Sequence, residues 1–167
     1  SYEDISGLKW RVPPSEIYTK TWEAWGAKPV TIPMGDVITS LQTGTIDAVG
    51  FDVDTLLNQF CDVANNVTIS GEVYTVAPLI VNKDWFDSLP SELQALLVET
   101  AQVAGDWGAL NFERSRAVTV ERMIEQGITV NYLSQSDIDE MKALAAPVYE
   151  FARSEYDAAF VDALLGK

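Results

Sequence analysis

One arginine, set into a short apolar run, is the residue of this chain best suited to bind an anion. Apolar side chains alternate with Lys9 and Arg11 over residues 8–12, a period of two that is typical of a strand. Pro13 and Pro14 then end the ladder, because proline has no amide hydrogen to donate. In open α/β sheets, ligands bind beyond the carboxyl ends of the strands. A guanidinium there offers a fork of donors to a carboxylate or phosphate, so we predict that Arg11 is the main ligand anchor.

Arg11 also has a purely structural interpretation. An arginine at the end of a strand can cap it and form an ion pair with a nearby acid, at little energetic consequence. The chain contains 25 acidic residues, so such a partner is easy to find. The sequence alone leaves both interpretations open.

Three aspartates could support a different chemistry. Asp47, Asp52 and Asp54 lie close together in sequence and could bind a divalent metal or act as acid and base. The more ordinary interpretation is that Asp52 or Asp54 is the N-cap of the helix that follows. We interpret Asp47 as structural, shaping its turn.

Histidine is absent and Cys61 is the only cysteine. Ser-His-Asp and Cys-His arrangements and ordinary zinc sites are therefore excluded. Cys61 lies in an apolar helical context, which favours a buried small hydrophobic residue over a nucleophile. We find no motif for a cofactor and expect none.

The charge balance limits the possible partners. Eleven basic and 25 acidic residues give a formal net charge of −14. A chain this acidic is repelled by phosphate backbones and anionic lipids, which disfavours nucleic acid or a membrane surface as partner. At 167 residues the chain is long enough for one domain with a genuine hydrophobic core.

The pattern of elements predicts a parallel sheet with helical crossovers. The first fifty residues alternate as β-α-β-α-β, with strands at 8–12, 28–33 and 46–51 and helices at 15–25 and 35–42. Further predicted elements are a helix at 53–61, strands at 67–70, 76–81 and 128–133, a long helix at 89–126, and a C-terminal helix that begins at Ser134 and is kinked or split by Pro147.

The long helix is unusual for a domain of this size. A helix of some thirty-five residues usually spans more than one packing unit, so we expect another part of the molecule, or a second chain, to cover it. We expect Trp22, Trp25, Trp85 and Trp107, which lie on helical stripes, to belong to the core.

Three segments together resemble a known family. They are GLKWRVP (residues 7–13), PMGDVITSLQTGTID (residues 33–47) and LIVNKDWFDSLP (residues 79–90), and the similarity continues through residues 127–130 to the C-terminal helix. In this order and spacing they resemble the C-terminal half of the periplasmic solute-binding receptors of tripartite ATP-independent periplasmic (TRAP) transporters, of the dicarboxylate-binding type.

The resemblance implies a fold and a function. The fold would be α/β: a periplasmic-binding-protein-like lobe with a mostly parallel sheet flanked by helices, a long crossing helix and a C-terminal helix. Residues 1–167 would be the C-terminal ligand-binding lobe of a two-lobe receptor, and the N-terminal lobe would lie outside them. Residues 7–70 and 127–167 would form the core, and residues 76–126 the crossing strand and long helix.

By the same resemblance the protein would be periplasmic, with its signal peptide removed, and not an enzyme. It would bind an organic acid and deliver it to TRAP membrane subunits. Without its first lobe, this chain would self-associate through the long helix.

The resemblance also assigns roles to individual residues. Arg11 matches the arginine that clamps the substrate carboxylate. Phe51 stands where the family commonly has a ligand-contacting asparagine, and Met34 stands where many members have an aromatic residue. Phe51 could equally be a plain core residue. Glu72 and Tyr74 are expected at the rim of the pocket.

Two other functions remain as alternatives. The same fold could be a ligand-sensing module that regulates a signalling or transcription partner. Less favoured is a metal-dependent enzyme that uses Asp47, Asp52 and Asp54.

Overall fold

Two pairs of short parallel strands form the framework of the chain, which a computed structural model describes over residues 1–72 and 76–166. β1 pairs with β2, with Arg11 opposite Val30, and β3 pairs with β4, with Val67 opposite Val130. The bounds are β1 (Lys9–Val12), β2 (Lys28–Thr31), β3 (Asn66–Ile69) and β4 (Thr129–Tyr132). Parallel strands need crossover connections, and helices supply them. The expected α/β fold is confirmed.

Helices link and cover these strands. Gly26 stops the first helix in the left-handed region, with φ of 87°, and returns the chain to β2. A 3₁₀ turn (Met34–Asp36) precedes α2, and a π-helical turn (Leu56–Phe60) follows α3. The helices are α1 (Glu16–Ala24), α2 (Val37–Gln42), α3 (Val53–Thr55), α4 (Lys83–Asp87), α5 (Ser91–Glu125), α6 (Gln135–Leu144), α7 (Ala146–Glu155) and α8 (Ala158–Leu164).

Different apolar clusters pack on the two faces of the sheet formed by β1 and β2. Trp10 and Val12 face α1, where the Trp22 ring stacks on Trp10 with centroids 3.7 Å apart. The opposite face is packed by a cluster built on Val37, Ile46 and Phe60. A third cluster lies under β3 and β4. Its buried residues are Leu57, Val67, Met123 and Ile128.

The C-terminal helices close over α1. Trp25 Nε1 donates to the Met141 carbonyl oxygen at 2.8 Å, and the Lys20 ammonium lies 4.6 Å from the centroid of the Phe151 ring. The expected effect of Pro147 is confirmed: α6 ends at Leu144, and α7 begins at Ala146 with proline in its first turn.

Two predicted strands are not formed. The segment at 46–51 makes one isolated bridge, between Ala48 and Trp10, and residues 76–81 have no regular structure. A strand needs hydrogen-bonding neighbours, and the outer edge of each segment has none among the described residues. Both predictions are therefore wrong for this chain.

Helix α5 is docked only through its C-terminal part. Met123 is fully buried, and Val120 and Thr119 are nearly so, whereas none of the described side chains from Ser91 to Val118 is buried. The Thr119 hydroxyl donates to one Asp54 carboxylate oxygen, and the Ser115 hydroxyl lies 3.3 Å from the other. These contacts fix the rotation of α5 on the strands.

The prediction of core tryptophans is confirmed for two residues and wrong for two others. Trp22 is buried and Trp25 packs against it, as expected. Trp85 and Trp107 are 49% and 69% exposed, so placing them in the core was wrong. Trp85 lies on α4 and Trp107 on the part of α5 in which no described side chain is buried.

We predict that Thr119→Val destabilises the protein by about 1–2 kcal/mol, because the substitution keeps the buried shape and removes the hydroxyl that satisfies Asp54. Urea unfolding measures the change. Thr129→Val, on the exposed edge of β4, is the matched control and should stay within about 0.5 kcal/mol of the parent. Equal stability of the two variants would show that Asp54 does not hold the helix.

Candidate functional site

Backbone acceptors and donors hold Arg11 at the carboxyl edge of the first sheet. Its amide donates to the Ala48 carbonyl oxygen at 2.9 Å, and its Nε donates to the Ile32 carbonyl oxygen at 3.0 Å. The segment on one side therefore fixes the backbone of Arg11, and the segment on the other side orients its side chain. The bond from Nε leaves the end of the guanidinium, Nη1 and Nη2, as the pair of donors that can meet a carboxylate side by side.

The Arg11 guanidinium has no acidic partner among the described residues. Burial lowers the pKa of Arg11, and the opposing influence comes from the Tyr18 phenol rather than from a carboxylate. The group still remains protonated at any ordinary pH. In a chain with 25 acidic residues, a half-buried cation without a carboxylate is not explained by structural pairing.

Phe51 lies against this cation. The Arg11 Cζ atom is 5.4 Å from the centroid of the Phe51 ring, within the range of a cation–π contact. Phe51 itself stacks on the buried Phe60, with centroids 4.9 Å apart and planes inclined by 9°. The ring is therefore fixed from behind and half exposed in front.

Met34 belongs to the same edge. It opens the 3₁₀ turn two residues beyond Ile32, whose carbonyl oxygen holds Arg11, and it is 43% exposed. The structure thus brings Arg11, Phe51 and Met34 to the carboxyl ends of neighbouring segments. Their role in binding a ligand stays a prediction.

Glu72 lies elsewhere. A Cβ atom at Gly50 would be 3.2 Å from Glu72 Oε1 and 3.6 Å from the Trp10 ring, so the carboxyl group lies on the Trp10 side of β1 and not beside Arg11. The Ser70 hydroxyl donates to it. Although the residue as a whole is exposed, the protein atoms around its carboxyl group raise the pKa of Glu72 by burial. Tyr74, the other expected rim residue, lies outside the described residues.

The three aspartates contact different parts of the fold. Asp47 accepts from the Lys9 amide at 2.9 Å and pairs with Lys9 Nζ at 3.4 Å, and these contacts with Lys9 lower the pKa of Asp47. Asp52 caps α3 by accepting from the Thr55 amide at 2.9 Å, as the N-cap interpretation predicted. Asp54 binds the hydroxyls of α5. In the described part of the chain, no three metal-ligating side chains come together.

Sequence reasoning missed two groups beside Arg11. The Ile32 carbonyl oxygen is a backbone acceptor, which no side-chain type can announce. Tyr18 could have been found, because α1 begins directly after β1 and its first turn must lie at the same edge of the sheet.

The family model described as bacterial extracellular solute-binding protein, family 7, matches residues 1–155. The chain therefore belongs to this family. A solute-binding protein of Sulfitobacter sp. (strain NAS-14.1) is 29% identical over 95% of the chain. The 2,3-diketo-L-gulonate-binding periplasmic protein of Escherichia coli (strain K12) is 30% identical over 76% of it. The chain spans only 48% and 39% of these two relatives.

Solved structures agree on the fold. The periplasmic ectoine-binding protein of a TRAP transporter from Halomonas elongata is 26% identical, with a TM-score of 0.82 over 92% of this chain and 52% of that one. A sugar acid binding protein from Advenella mimigardefordensis, in complex with galactonate, has a TM-score of 0.85 over 99% of this chain and 54% of that one, at 23% identity. The periplasmic-binding-protein-like fold is confirmed.

The expected localisation is confirmed at the level of the family. The family is described as extracellular, and the Escherichia coli relative is named as a periplasmic protein. Within the described ranges, none of the helices combines the length and the apolar character that a membrane crossing requires.

We predict that Glu72→Gln raises stability at pH 7 and has no effect well below pH 4.5, the ordinary pKa of this carboxyl. The pKa of Glu72 is higher in the folded protein than in the unfolded chain. At a pH between these two pKa values the folded protein binds more protons than the unfolded chain, so its stability falls as the pH rises through this range. The amide stays uncharged throughout. Thermal unfolding across pH 3.5–8 measures the difference.

Glu23→Gln, on the exposed face of α1, is the control for the change in net charge. A pH-independent difference between Glu72→Gln and the parent would contradict burial of the Glu72 carboxyl as its cause.

Proposed function

We propose that this chain is the C-terminal ligand-binding lobe of a two-lobe extracytoplasmic receptor, which binds the carboxylate of an organic acid through Arg11 and delivers it to TRAP membrane subunits. The core of the lobe is residues 7–70 and 127–167, and residues 76–126 cross to the other lobe. The receptor binds its solute without transforming it. Membership of a solute-binding family and relatives named for 2,3-diketo-L-gulonate, ectoine and C4-dicarboxylates support this class of ligand.

The single observation that carries the proposal is the unneutralised guanidinium at the edge of the sheet. Two backbone bonds through N and Nε fix Arg11, burial removes part of its water, and no described carboxylate compensates it. A desolvated charge without a counterion is costly, and an external carboxylate would remove that cost.

A gap between the two sheets supports the proposal that another segment of the full-length protein packs between them. A cavity of about 650 Å³ separates them, lined on one side by Val49 and Gly50 and on the other by Val67 and Thr68. Strand edges with unpaired amide and carbonyl groups tend to acquire a partner strand. An extended segment from the remainder of the protein would pair with both edges and join the two sheets.

Exposed apolar surface on the long helix supports the second lobe. Trp107 and Leu110 are 69% and 77% exposed, and Leu79 and Ile80 in the unstructured segment before α4 reach 79% and 82%. Large apolar side chains this exposed are typical of an interaction site. The chain covers about half of the solved relatives, so the missing half is the natural cover.

We predict that Arg11→Ala in the full-length protein weakens binding of the transported acid tenfold or more. A hydrogen bond to a charged group contributes about 1.5–3 kcal/mol, and about 1.4 kcal/mol corresponds to a factor of ten. A thermal-shift screen of organic acids identifies a ligand, and calorimetry then compares the variants.

Arg122→Ala, an exposed arginine near the end of α5, is the matched control and should bind as the parent does. Unchanged affinity in Arg11→Ala would refute the role of Arg11. A covalently attached output domain in the full-length protein would instead favour the ligand-sensing alternative.

We predict that the isolated 167-residue chain self-associates through α5, because its apolar face has no cover. Sedimentation velocity should detect dimers or larger species that shift toward monomer in the variant Trp107→Glu combined with Leu110→Glu. Gln102→Glu, on the same helix, is the control for added charge. A parent chain that sediments as a monomer at all concentrations would contradict the prediction.

A further inference from the structure

The connection between β1 and α1 brings a second polar side chain, Tyr18, to the edge of the sheet where Arg11 lies. Residues 13–15 alone join the two elements, and within them the Ser15 amide donates to the Pro13 carbonyl oxygen at 2.7 Å. The first turn of α1 therefore lies directly beyond the strand that carries Arg11. Tyr18 is the third residue of α1. Because helical side chains lean toward the N-terminus of their helix, its ring is directed back toward this edge.

The Tyr18 phenol is close to the Arg11 guanidinium but forms no hydrogen bond with it. Its electrostatic influence on the cation opposes the effect of burial on the pKa of Arg11. Among the described residues, the Tyr18 hydroxyl has no hydrogen-bond partner, and the residue is 37% exposed. A hydroxyl can donate one hydrogen bond and accept others. This hydroxyl is therefore positioned beside the cation with its donor still available.

The contacts of the Arg11 guanidinium limit how a carboxylate can approach it. Nε donates to the Ile32 carbonyl oxygen, and the Phe51 ring covers one face of the group, with Cζ 5.4 Å from the ring centroid. Nη1 and Nη2 remain, and they can bind the two carboxylate oxygens side by side in the plane of the guanidinium. Each of these oxygens then keeps a free lone pair, so a neighbouring hydroxyl can donate to one of them.

We infer that Tyr18 is a ligand-binding residue whose hydroxyl donates a further hydrogen bond to the carboxylate that Arg11 binds. The inference rests on the proposed function, because it presupposes a carboxylate at Arg11. Two donors that lie close together without bonding to each other are suited to share one acceptor. A hydrogen bond to a charged group is stronger than one between neutral groups. The hydroxyl therefore adds affinity for the anionic group itself and not for a particular carbon skeleton.

A purely structural role of Tyr18 predicts a different response to substitution. Tyr18→Phe keeps the ring, with its packing, and removes only the hydroxyl. Because this hydroxyl forms no hydrogen bond within the described part of the chain, its removal should not change the stability of the ligand-free protein. The substitution therefore separates binding of a ligand from support of the fold.

The test compares Tyr18→Phe with the parent by calorimetry, both as full-length proteins. The probes are benzoate, succinate and D-gluconate, together with any acid that the thermal-shift screen identifies. They share a carboxylate and differ in the carbon skeleton. We expect each probe that binds the parent to bind Tyr18→Phe about tenfold more weakly, and by a similar factor, because the lost hydrogen bond is to the group that the probes share. The melting temperature without ligand should stay the same.

Tyr156→Phe is the matched control. It makes the same chemical change between α7 and α8, where Tyr156 is 58% exposed, and should leave the affinity for every probe unchanged.

The outcomes distinguish this inference from the proposed function. If Arg11→Ala abolishes binding of a probe that Tyr18→Phe binds as the parent does, the role of Tyr18 is wrong and the receptor function stands. A loss confined to one skeleton would also overturn the inference, because the hydroxyl would then contact the skeleton. A lower melting temperature of ligand-free Tyr18→Phe would overturn it too, because the hydroxyl would then support the fold. If no acid of the whole screen binds the parent, the proposed function fails and the inference with it.

Discussion

The register between β1 and its two neighbours is the constraint on which the site depends. Because successive side chains of a strand face opposite sides, Trp10 enters the α1 layer and Arg11 the opposite face. A slip of one residue would exchange them and place the guanidinium against Trp22. Two features prevent that slip. Trp10 and Val12 find their apolar partners only on the α1 side of the sheet. Asp47 accepts a hydrogen bond from the Lys9 amide and forms an ion pair with the Lys9 ammonium group. The packing of tryptophans on one face therefore orients a cation on the other.

The negative net charge of the chain limits how Arg11 can attract an anion. A charge of −14 repels an anionic solute at long range, so any attraction of an anion to this chain has to be local. At physiological salt the field of exposed carboxylates is screened within about 8 Å, whereas a half-buried guanidinium is screened much less. The fixed Nε bond and the Phe51 ring reduce what Arg11 must reorganise on binding. Selectivity would then come from what adjoins the guanidinium.

Local patterns predicted the elements that are complete within this chain. The β-α-β alternation, the break at Pro147 and the placement of Arg11 followed from residue types and spacing, and the structure agrees with them. The segments at 46–51 and 76–81 have strand-like sequences but lack the neighbours that would make them strands. Trp107 has a core residue's character and lies in water for the same reason. Among the described residues these segments have no covering neighbour, so their sequence patterns alone could not predict their environment.

The candidate site residues also differ in how well the sequence predicted their positions. The positions of Arg11 and Phe51 were predictable because both lie near the carboxyl ends of parallel segments that are neighbours in space. Glu72 was not, because its position depends on the gap between the sheets, and it lies on the Trp10 side.

Helix α5 is fixed to the rest of the structure through its C-terminal part only. Its C-terminal part is fixed to the strands by Met123 and by the hydroxyls that contact Asp54, while none of the described side chains from Ser91 to Val118 is buried. At 1.5 Å per residue this projecting part is about 40 Å long. A lobe packed on it would follow any rotation at the docked end, and a rotation of a few degrees there becomes a displacement of several ångströms at the far end. Asp54, which contacts α5, follows Phe51 by only three residues. The contact that sets the direction of α5 and the aromatic ring beside Arg11 therefore belong to one short segment. In the proposed receptor, a ligand in contact with Phe51 would act on the same piece of backbone that fixes the long helix, and this would couple ligand binding to the position of a second lobe.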